Sequence, residues 1–197
     1  MILYETNKFR SGIKIIYHGE PCVILTSEFI KPGKGQAFNR VRLRKLISGG
    51  VFEKNFKSGE YVVIADVVEI KLSYLYTDGN LWYFINNENF EQISVTKSVV
   101  GDHVRWLVPQ NSYILTFWNG NPIVLNVPNF VNLKVVETEP GLKGDTVNTG
   151  NKLACLSTGA RIKVPLFINI GNIVRVDTRS GEYISRYKES EMEKKPV

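Results

Sequence analysis

The chain has 197 residues and a mass of 22.4 kDa; 43% of the residues are hydrophobic, 22% are charged, and the formal net charge is +6. These values lie near globular averages and exclude collagen-like, low-complexity and disordered chains. No apolar run approaches the roughly 18 residues of a membrane span, no secretory signal is visible, and Cys22 and Cys155 match no metal-ligand spacing. We expect a monomeric cytoplasmic protein, away from membranes, with reduced thiols and an anionic partner.

Short β-strands are the dominant prediction along the chain. Runs of β-branched and aromatic residues alternate with turn signals at intervals of roughly 8–12 residues, which is typical of sandwiches and small barrels. In chain order, the predicted strands are 13–17, 22–25, 37–43, 61–64, 69–72, 82–85, 114–118, 132–136, 161–164, 172–176 and 183–186. Helical periodicity is weak, and residues 94–107 are the best candidate for a short helix.

Charge is unevenly divided along the chain. Residues 1–65 carry 11 Lys/Arg and 5 Asp/Glu, residues 66–128 carry 3 and 6, and residues 129–197 carry 11 and 8. Two basic ends around an acidic middle predict three units, each of a size that can form a compact β-barrel. We expect domains at 1–65, 66–128 and 129–188, followed by a flexible tail at 189–197.

The sequence argues against enzyme chemistry. His18 and His103 are the two histidines, and neither stands in a metal-binding or triad-like spacing. The HExxH, CxxC, GxSxG and complete phosphate-binding-loop motifs are absent from the sequence. We therefore expect a binding protein with no catalytic residue, no metal site and no cofactor.

A basic segment lies between Glu28 and Glu53, where the sequence has no acidic residue. Its cations include Lys31, Lys34, Arg40, Arg42, Arg44 and Lys45. The three arginines alternate with Val41 and Leu43, so a strand would place the guanidiniums on one face and the apolar side chains on the other. Such a row can contact nucleic-acid phosphates, although the solvated outer face of a barrel has the same pattern.

The segment Lys31-Pro32-Gly33-Lys34-Gly35 lies between two predicted strands. Proline fixes φ, and glycines permit backbone conformations closed to other residues, so a tight tip with Lys34 projecting is expected, with positive φ at Gly33 or Gly35. An ordinary hairpin turn with an incidental lysine is the alternative, and composition alone does not decide between them.

Several long segments resemble the bacterial elongation factor P family. The segments are 27–38 around the tip, 74–79 and 128–131, then 140–146, 156–160, 163–168 and 176–183, so the likeness extends in order over residues 1 to about 188. The resemblance implies an all-β fold of three small β-barrel domains in an L shape, with an SH3-like (KOW) N-terminal domain followed by two OB-folds.

The resemblance also implies a function and its partners. A family member is a tRNA mimic and not an enzyme: it binds the ribosome beside the P-site peptidyl-tRNA and promotes peptide-bond formation at consecutive prolines. The residues expected to bind tRNA or the ribosome are Lys31, Gly33, Lys34, Gly35, Arg40, Arg42, Arg44, Gly144, Asp145, Thr146, Tyr183 and Arg186. By resemblance, the loop Gly144-Asp145-Thr146 faces mRNA near the E site, whereas its sequence alone is that of a routine turn.

The residue at the tip is the family's modified position. A lysine there excludes the branch that carries a rhamnosylated arginine, and the flanking Lys31 and Gln36 resemble the β-lysylated branch, which uses a lysyl-tRNA-synthetase-like modifying enzyme. Another extension of Lys34, or none, stays open at this point. The alternative function is a KOW/OB RNA-binding module or RNA chaperone outside translation elongation.

Overall fold

The computed structural model describes residues 2–139 and 150–187, and nearly all regular structure in these ranges is β. The strands are β1 Leu3–Glu5, β2 Lys14–Tyr17, β3 Glu20–Ile30, β4 Phe38–Lys45, β5 Val51–Lys57, β6 Tyr61–Ile64, β7 Val67–Thr77, β8 Leu81–Ile85, β9 Gln92–Thr96, β10 Ser112–Trp118, β11 Asn121–Asn126, β12 Phe130–Thr138, β13 Asn151–Leu156, β14 Arg161–Pro165, β15 Ile173–Asp177 and β16 Glu182–Tyr187. A helix α1 spans Lys97–Val100, and 3₁₀ turns span Thr6–Lys8 and Gly101–Trp106. In the described part of the chain, no helix is long and apolar enough to cross a membrane.

The strands form three sheets, which follow one another along the chain. The first has the order β1-β6-β2-β3-β4-β5, the second β11-β10-β7-β8-β9, and the third β14-β13-β12-β15-β16. All neighbouring strands of the first and third sheets pair antiparallel, as do β7–β8 and β8–β9 of the second. The chain is therefore an all-β protein with several sheets, as the strand spacing predicted.

Alternation along each strand builds a separate core in the first and third sheets. The first core consists of Phe9, Ile15, Cys22, Ile24, Val41, Leu43 and Phe56. The third sheet buries Leu133, Val135, Ala154, Leu156, Ile162, Val164, Val174 and Val176. Because every second residue points inward, the intervening side chains face solvent, which is what places charged rows on the outside of each sheet.

The chain packs as two compact units. One comprises Met1–Lys71 and Ile114–Leu125, and the other Leu72–Tyr113 and Asn126–Val197. Within the second unit, Trp106 is 1% exposed and lies in the core cluster of the third sheet, although it follows β9 of the second. Sequence reasoning did not assign Trp106 to that core, because its position along the chain placed it with the acidic middle segment.

The eleven predicted strands all overlap observed ones, and the predicted short helix at 94–107 is confirmed in part, as helical turns over 97–106. Residues 94–96 belong to β9, and only four residues form α1 before the 3₁₀ turn Gly101–Trp106 begins. Gly101, which follows α1, has a φ of 56° and a ψ of −142°, a conformation that glycine adopts far more readily than other residues. The strands that prediction missed are β1, β5, β9, β11 and β13.

Candidate functional site

The hairpin of β3 and β4 carries the predicted tip. Its ladder extends from the pair Cys22–Lys45 to the pair Ile30–Phe38, so residues 31–37 form the connection. Val41 and Leu43 are fully buried in the first core and fix the register of β4, since a shift by one residue would expose both. The tip is thus attached to strands whose register the core determines.

The tip itself is open to solvent. Lys31, Gly33, Lys34, Gly35 and Gln36 are all exposed. Gly35 has a φ of +112°, which confirms the expected positive φ at that position, and a Cβ added there would lie 3.8 Å from Pro32 Cγ. Gly33 has no positive φ, and a Cβ added to it would meet no atom within 4 Å. The backbone requirement for glycine therefore lies at Gly35 and not at Gly33.

The arginine row is a mixed face and not a purely cationic one. Arg40, Arg42 and Arg44 are all exposed, on the side of β4 opposite to Val41 and Leu43. Cross-strand pairing places Glu28 opposite Arg40 and Glu53 opposite Arg42, whereas Arg44 stands opposite Val23 and Val51. Glu28 and Glu53, which delimit the basic segment in the sequence, therefore lie beside its arginines on the same face of the sheet.

These arginines keep their guanidiniums available. The ion pairs within 4.0 Å that involve described residues are Lys8–Glu5, Lys14–Glu69, Lys45–Glu20 and Arg179–Asp177. Of the predicted basic segment, only Lys45 is in that set. An unpaired guanidinium presents donors that match phosphate oxygens, so the row can bind a polyanion.

One buried polar group lies beside this row. Asn39 on β4 is 3% exposed, and its Nδ2 has no hydrogen-bond partner among the described residues. Phe29, its partner across the ladder and on the same face, is 58% exposed, so burial of this face is incomplete toward the tip.

The two C-terminal residues of the predicted interface lie on β16. Tyr183 is half-buried and packs against the core of the third sheet, while Arg186 is exposed. Tyr183 also lines a groove of about 530 Å³, together with Asn151, Arg161 and Lys163. Tyr183 is therefore both a core aromatic and a groove residue.

The groove contains two cations that sequence analysis did not select. Arg161 and Lys163 are exposed on β14 and alternate with the buried Ile162 and Val164. The signal is the same alternation that identified the arginine row, but with two cations instead of three. Gly144, Asp145 and Thr146 lie outside the described residues.

A tight turn between β15 and β16 positions Tyr183. Asp177 accepts hydrogen bonds from Arg179 Nη2 at 2.6 Å, Nε at 3.0 Å and the backbone N–H at 2.9 Å. These hydrogen bonds lower the pKa of the Asp177 carboxyl to about 2. The Arg179 guanidinium also lies over the Phe130 ring, 5.8 Å from its centroid, with Arg175 at 4.6 Å. The start of β16 is thereby tied to β12 and β15.

Comparison with known proteins identifies each part of this architecture. Residues 5–62 match the model of the elongation factor P (EF-P) KOW-like domain, residues 67–125 match the EF-P OB domain, and residues 131–186 match the elongation factor P C-terminal model. The three matches follow one another in the order that the family has.

Solved structures agree on the fold. Eukaryotic translation initiation factor 5A from Methanococcus jannaschii has a TM-score of 0.51 at 18% identity, over 64% of this chain and 94% of that one. A translation initiation factor eIF-5A family protein from Naegleria fowleri has a TM-score of 0.50 at 11% identity, over 64% and 98%. At these identities the likeness supports the fold alone.

The three sheets and the family matches together define an all-β protein built from KOW-like and OB domains. The chain belongs to the elongation factor P family. It is accordingly a translation factor and not an enzyme, which confirms the expectation drawn from its lack of catalytic motifs.

Proposed function

We propose that this translation factor acts in the cytoplasm on the ribosome, beside the P-site peptidyl-tRNA, and stimulates peptide-bond formation where consecutive prolines stall it. The observation that carries the proposal is the Lys34 tip: an exposed lysine between glycines, at the end of a hairpin whose register the first core fixes. A cation presented on an ordered support can position a poorly reactive substrate and so lower the entropic part of the barrier.

The basic face of the same hairpin supplies the first RNA contact in this proposal. Arg40, Arg42 and Arg44 point away from the core and bind phosphates of the tRNA, each contact releasing counterions. Lys31, Gly33 and Gly35 surround Lys34 at the tip, so the backbone there can approach the tRNA closely.

The groove of the third sheet supplies the second contact. Tyr183 offers a half-exposed ring beside Arg161 and Lys163, and Arg186 adds a further cation on β16. An aromatic ring with neighbouring cations suits stacking on an unpaired base and pairing with its phosphate. We assign this side, with the loop Gly144-Asp145-Thr146, to mRNA near the E site and to the small subunit.

We further propose that Lys34 is extended by β-lysylation, through a lysyl-tRNA-synthetase-like enzyme. The ammonium of Lys34 is free of packing, so an enzyme can reach it, and an added lysyl group would extend the cation further beyond the hairpin. Intact-mass measurement of the protein from its native host tests this directly. An unmodified Lys34 in that protein would contradict the assignment.

The division into domains at 1–65, 66–128 and 129–188 is also kept as a proposal. Three sheets occupy residues 3–64, 67–126 and 130–187, which supports breaks near 65 and 128. Limited proteolysis should cut near these two positions first. First cuts inside the sheets would contradict the division.

The decisive experiment separates the role of Lys34 in function from any role in stability. Lys34→Ala removes the cation and the attachment point but few contacts, so the free energy of unfolding should change by less than about 0.5 kcal/mol. Synthesis through a run of prolines, measured as peptide formation on purified stalled ribosomes, should fall sharply, while ribosome binding persists in part.

Lys54→Ala is the matched control, because Lys54 is also an exposed lysine of the first sheet but lies outside the tip. It should leave peptide formation unchanged. Full activity of the Lys34 variant would reject the proposal, and a large loss of stability would identify Lys34 as a structural residue. Failure of the unsubstituted protein to co-sediment with ribosomes would favour an RNA-binding role outside translation.

A further inference from the structure

The loop between β8 and β9 displays an aromatic side chain to solvent. Phe90 is 77% exposed, more than any other large apolar side chain in the ranges 2–139 and 150–187. Its φ is +60°, in the left-handed region. The proposed function leaves this residue without a role.

The backbone conformation of Phe90 is unfavourable for its residue type. The other non-glycine residues with positive φ in the described ranges are His18, Gln110 and Asn119. Asparagine and histidine are enriched several-fold in this region, whereas a bulky residue there is a genuine outlier. A strained conformation persists only where the surrounding structure determines it, and such strain accumulates at functional positions.

Hydrogen bonds hold the loop in this conformation. The Phe90 N–H donates to the Asn86 carbonyl at 2.8 Å, and the Asn86 N–H donates to the Glu91 carbonyl at 2.9 Å. The Asn86 and Asn89 side chains accept from the N–H groups of Glu88 and Glu91 at 2.9 and 3.0 Å.

The loop is also fixed to the sheet beneath it. Asn87 Nδ2 donates to Ser73 Oγ at 2.8 Å, and Ser73 is 7% exposed. The ring of Phe90 is therefore presented on an ordered loop. Because the loop is already ordered, binding through the Phe90 ring would cost little conformational entropy. Rigid aromatic side chains are favoured as interface anchors for this reason.

The charge around Phe90 selects the kind of partner. Glu88 and Glu91 flank it, and neither belongs to an ion pair within 4.0 Å in the described part of the chain. The surrounding segment 66–128 carries 3 Lys/Arg against 6 Asp/Glu. Carboxylates repel the phosphates of RNA and attract a surface rich in lysine and arginine.

We propose that Phe90 anchors a protein–protein contact, in which its ring enters an apolar pocket rimmed by Lys and Arg on a ribosomal protein. Glu88 and Glu91 face the cations of that rim and steer the encounter. The inference rests on the proposed action on the ribosome. The β3–β4 hairpin and the Tyr183 groove are the two proposed RNA-binding surfaces, and the Phe90 loop is a third, acidic surface that binds protein.

A pair of substitutions separates the anchor from the strain. Phe90→Asn removes the ring but tolerates positive φ, so binding of the full chain to purified ribosomes carrying peptidyl-tRNA should weaken about tenfold or more. The midpoint of thermal unfolding should rise by about 2–4 °C as the strain is relieved. Phe90→Tyr keeps the ring and the strain. Its affinity for these ribosomes should therefore stay within about twofold of that of the unsubstituted protein, and its unfolding midpoint within about 1 °C.

Glu88 and Glu91 provide a second test, because a basic protein and an RNA partner predict opposite changes in the association rate when these carboxylates are removed. In the Glu88→Gln/Glu91→Gln double variant, the association rate should fall severalfold at low salt and depend less on salt. If the partner of this loop were RNA, removing two carboxylates would instead raise the rate, and that result would overturn the proposal.

Cross-linking identifies the partner directly. The chain with a photoreactive benzoyl-phenylalanine at position 90 should cross-link, on the same ribosomes, to a protein peptide rich in Lys and Arg. Two cross-linking results would contradict the proposal: cross-links to ribosomal RNA or tRNA, or no cross-link from the bound factor. Unchanged ribosome binding by Phe90→Asn, or a lowered unfolding midpoint of that variant, would also contradict it. Loss of ribosome binding by the unsubstituted chain would instead reject the proposed function.

Discussion

At the scale of single residues, the two glycines beside Lys34 have different physical roles. Gly35 has a φ of +112°, whereas Gly33 has no positive φ and open space where a Cβ would stand. From the sequence alone both glycines were equivalent candidates for the positive φ. Only Gly35 is required by the conformation of the backbone, so a requirement for Gly33 would come from a binding partner.

The matched pair Gly33→Ala and Gly35→Ala tests this difference. Gly33→Ala should stabilise the fold by about 0.4–1 kcal/mol, because it restricts the unfolded chain at a position where the folded chain tolerates a Cβ. Gly35→Ala should destabilise the fold by about 1 kcal/mol. Chemical denaturation measures both, and equal effects of the two substitutions would show that the tip relaxes freely.

The carboxyl group of Asp177 gives a second prediction at this scale. Its pKa is lowered to about 2 by the Arg179 side chain and by backbone N–H groups, against about 3.9 for an unfolded aspartate. The stabilisation is therefore fully present above about pH 4 and is lost as the pH falls through about 2.

Asp177→Asn should consequently lower the midpoint of thermal unfolding at pH 7 and have little effect at pH 2. Glu139→Gln is the control, since the Glu139 side chain is exposed and belongs to none of the ion pairs within 4.0 Å between described residues. A difference between the Asp177 variant and the unsubstituted protein that does not vary with pH would contradict the role given to this carboxylate.

At the scale of elements, the surface of the β3–β4 hairpin depends both on the alternation within each strand and on how the strands pair. Only the alternation can be predicted from the sequence of one strand. The alternation within β4 predicted the exposed arginine row, and Val41 and Leu43 are fully buried behind it. The cross-strand positions of Glu28 and Glu53 depend on registers that no local pattern contains. The row therefore has a carboxylate across the ladder from Arg40 and from Arg42, and none across from Arg44.

Replacing Arg40, Arg42 and Arg44 together by glutamine should weaken binding to tRNA-loaded ribosomes and flatten its dependence on salt. Glu28→Gln/Glu53→Gln is the opposite test on the same face: it should strengthen binding and steepen the salt dependence, since two like-charged neighbours of the phosphates are removed. Binding that neither variant alters would show that this face is only a solvated surface.

Prediction from sequence was most successful where one strand carries its own signal. The apolar runs at 61–64 and 82–85 match β6 and β8 closely. It failed for β5, whose sequence Val-Phe-Glu-Lys-Asn-Phe-Lys buries only Phe56 well because the strand lies at a sheet edge. It also failed for Phe90 and Trp106, since the conformation of the former and the burial of the latter follow from tertiary packing.

At the scale of the whole molecule, Trp106 ties distant parts of the second compact unit together. It comes from Leu72–Tyr113 but is 1% exposed within the core that Asn126–Val197 supplies. The Arg105 carbonyl accepts from Thr158 Oγ1 at 2.7 Å, and a Cβ added to Gly181 would lie 3.8 Å from Trp106 Cζ2. The start of β16, and with it the Tyr183 groove, therefore rests on a side chain from another part of the chain.

Trp106→Ala should lower the free energy of unfolding by about 3–5 kcal/mol, the range for removing a buried tryptophan from a core. Because the same ring joins 72–113 to 126–187, calorimetry should also show the transition of this unit broadening or splitting into two. Trp118→Phe is the control: Trp118 is half-buried, and its Nε1 has no hydrogen-bond partner among the described residues, so the change should stay within about 1 kcal/mol. A Trp106→Ala variant that unfolds in a single sharp transition, with a loss below about 1.5 kcal/mol, would show that the third core forms without this residue.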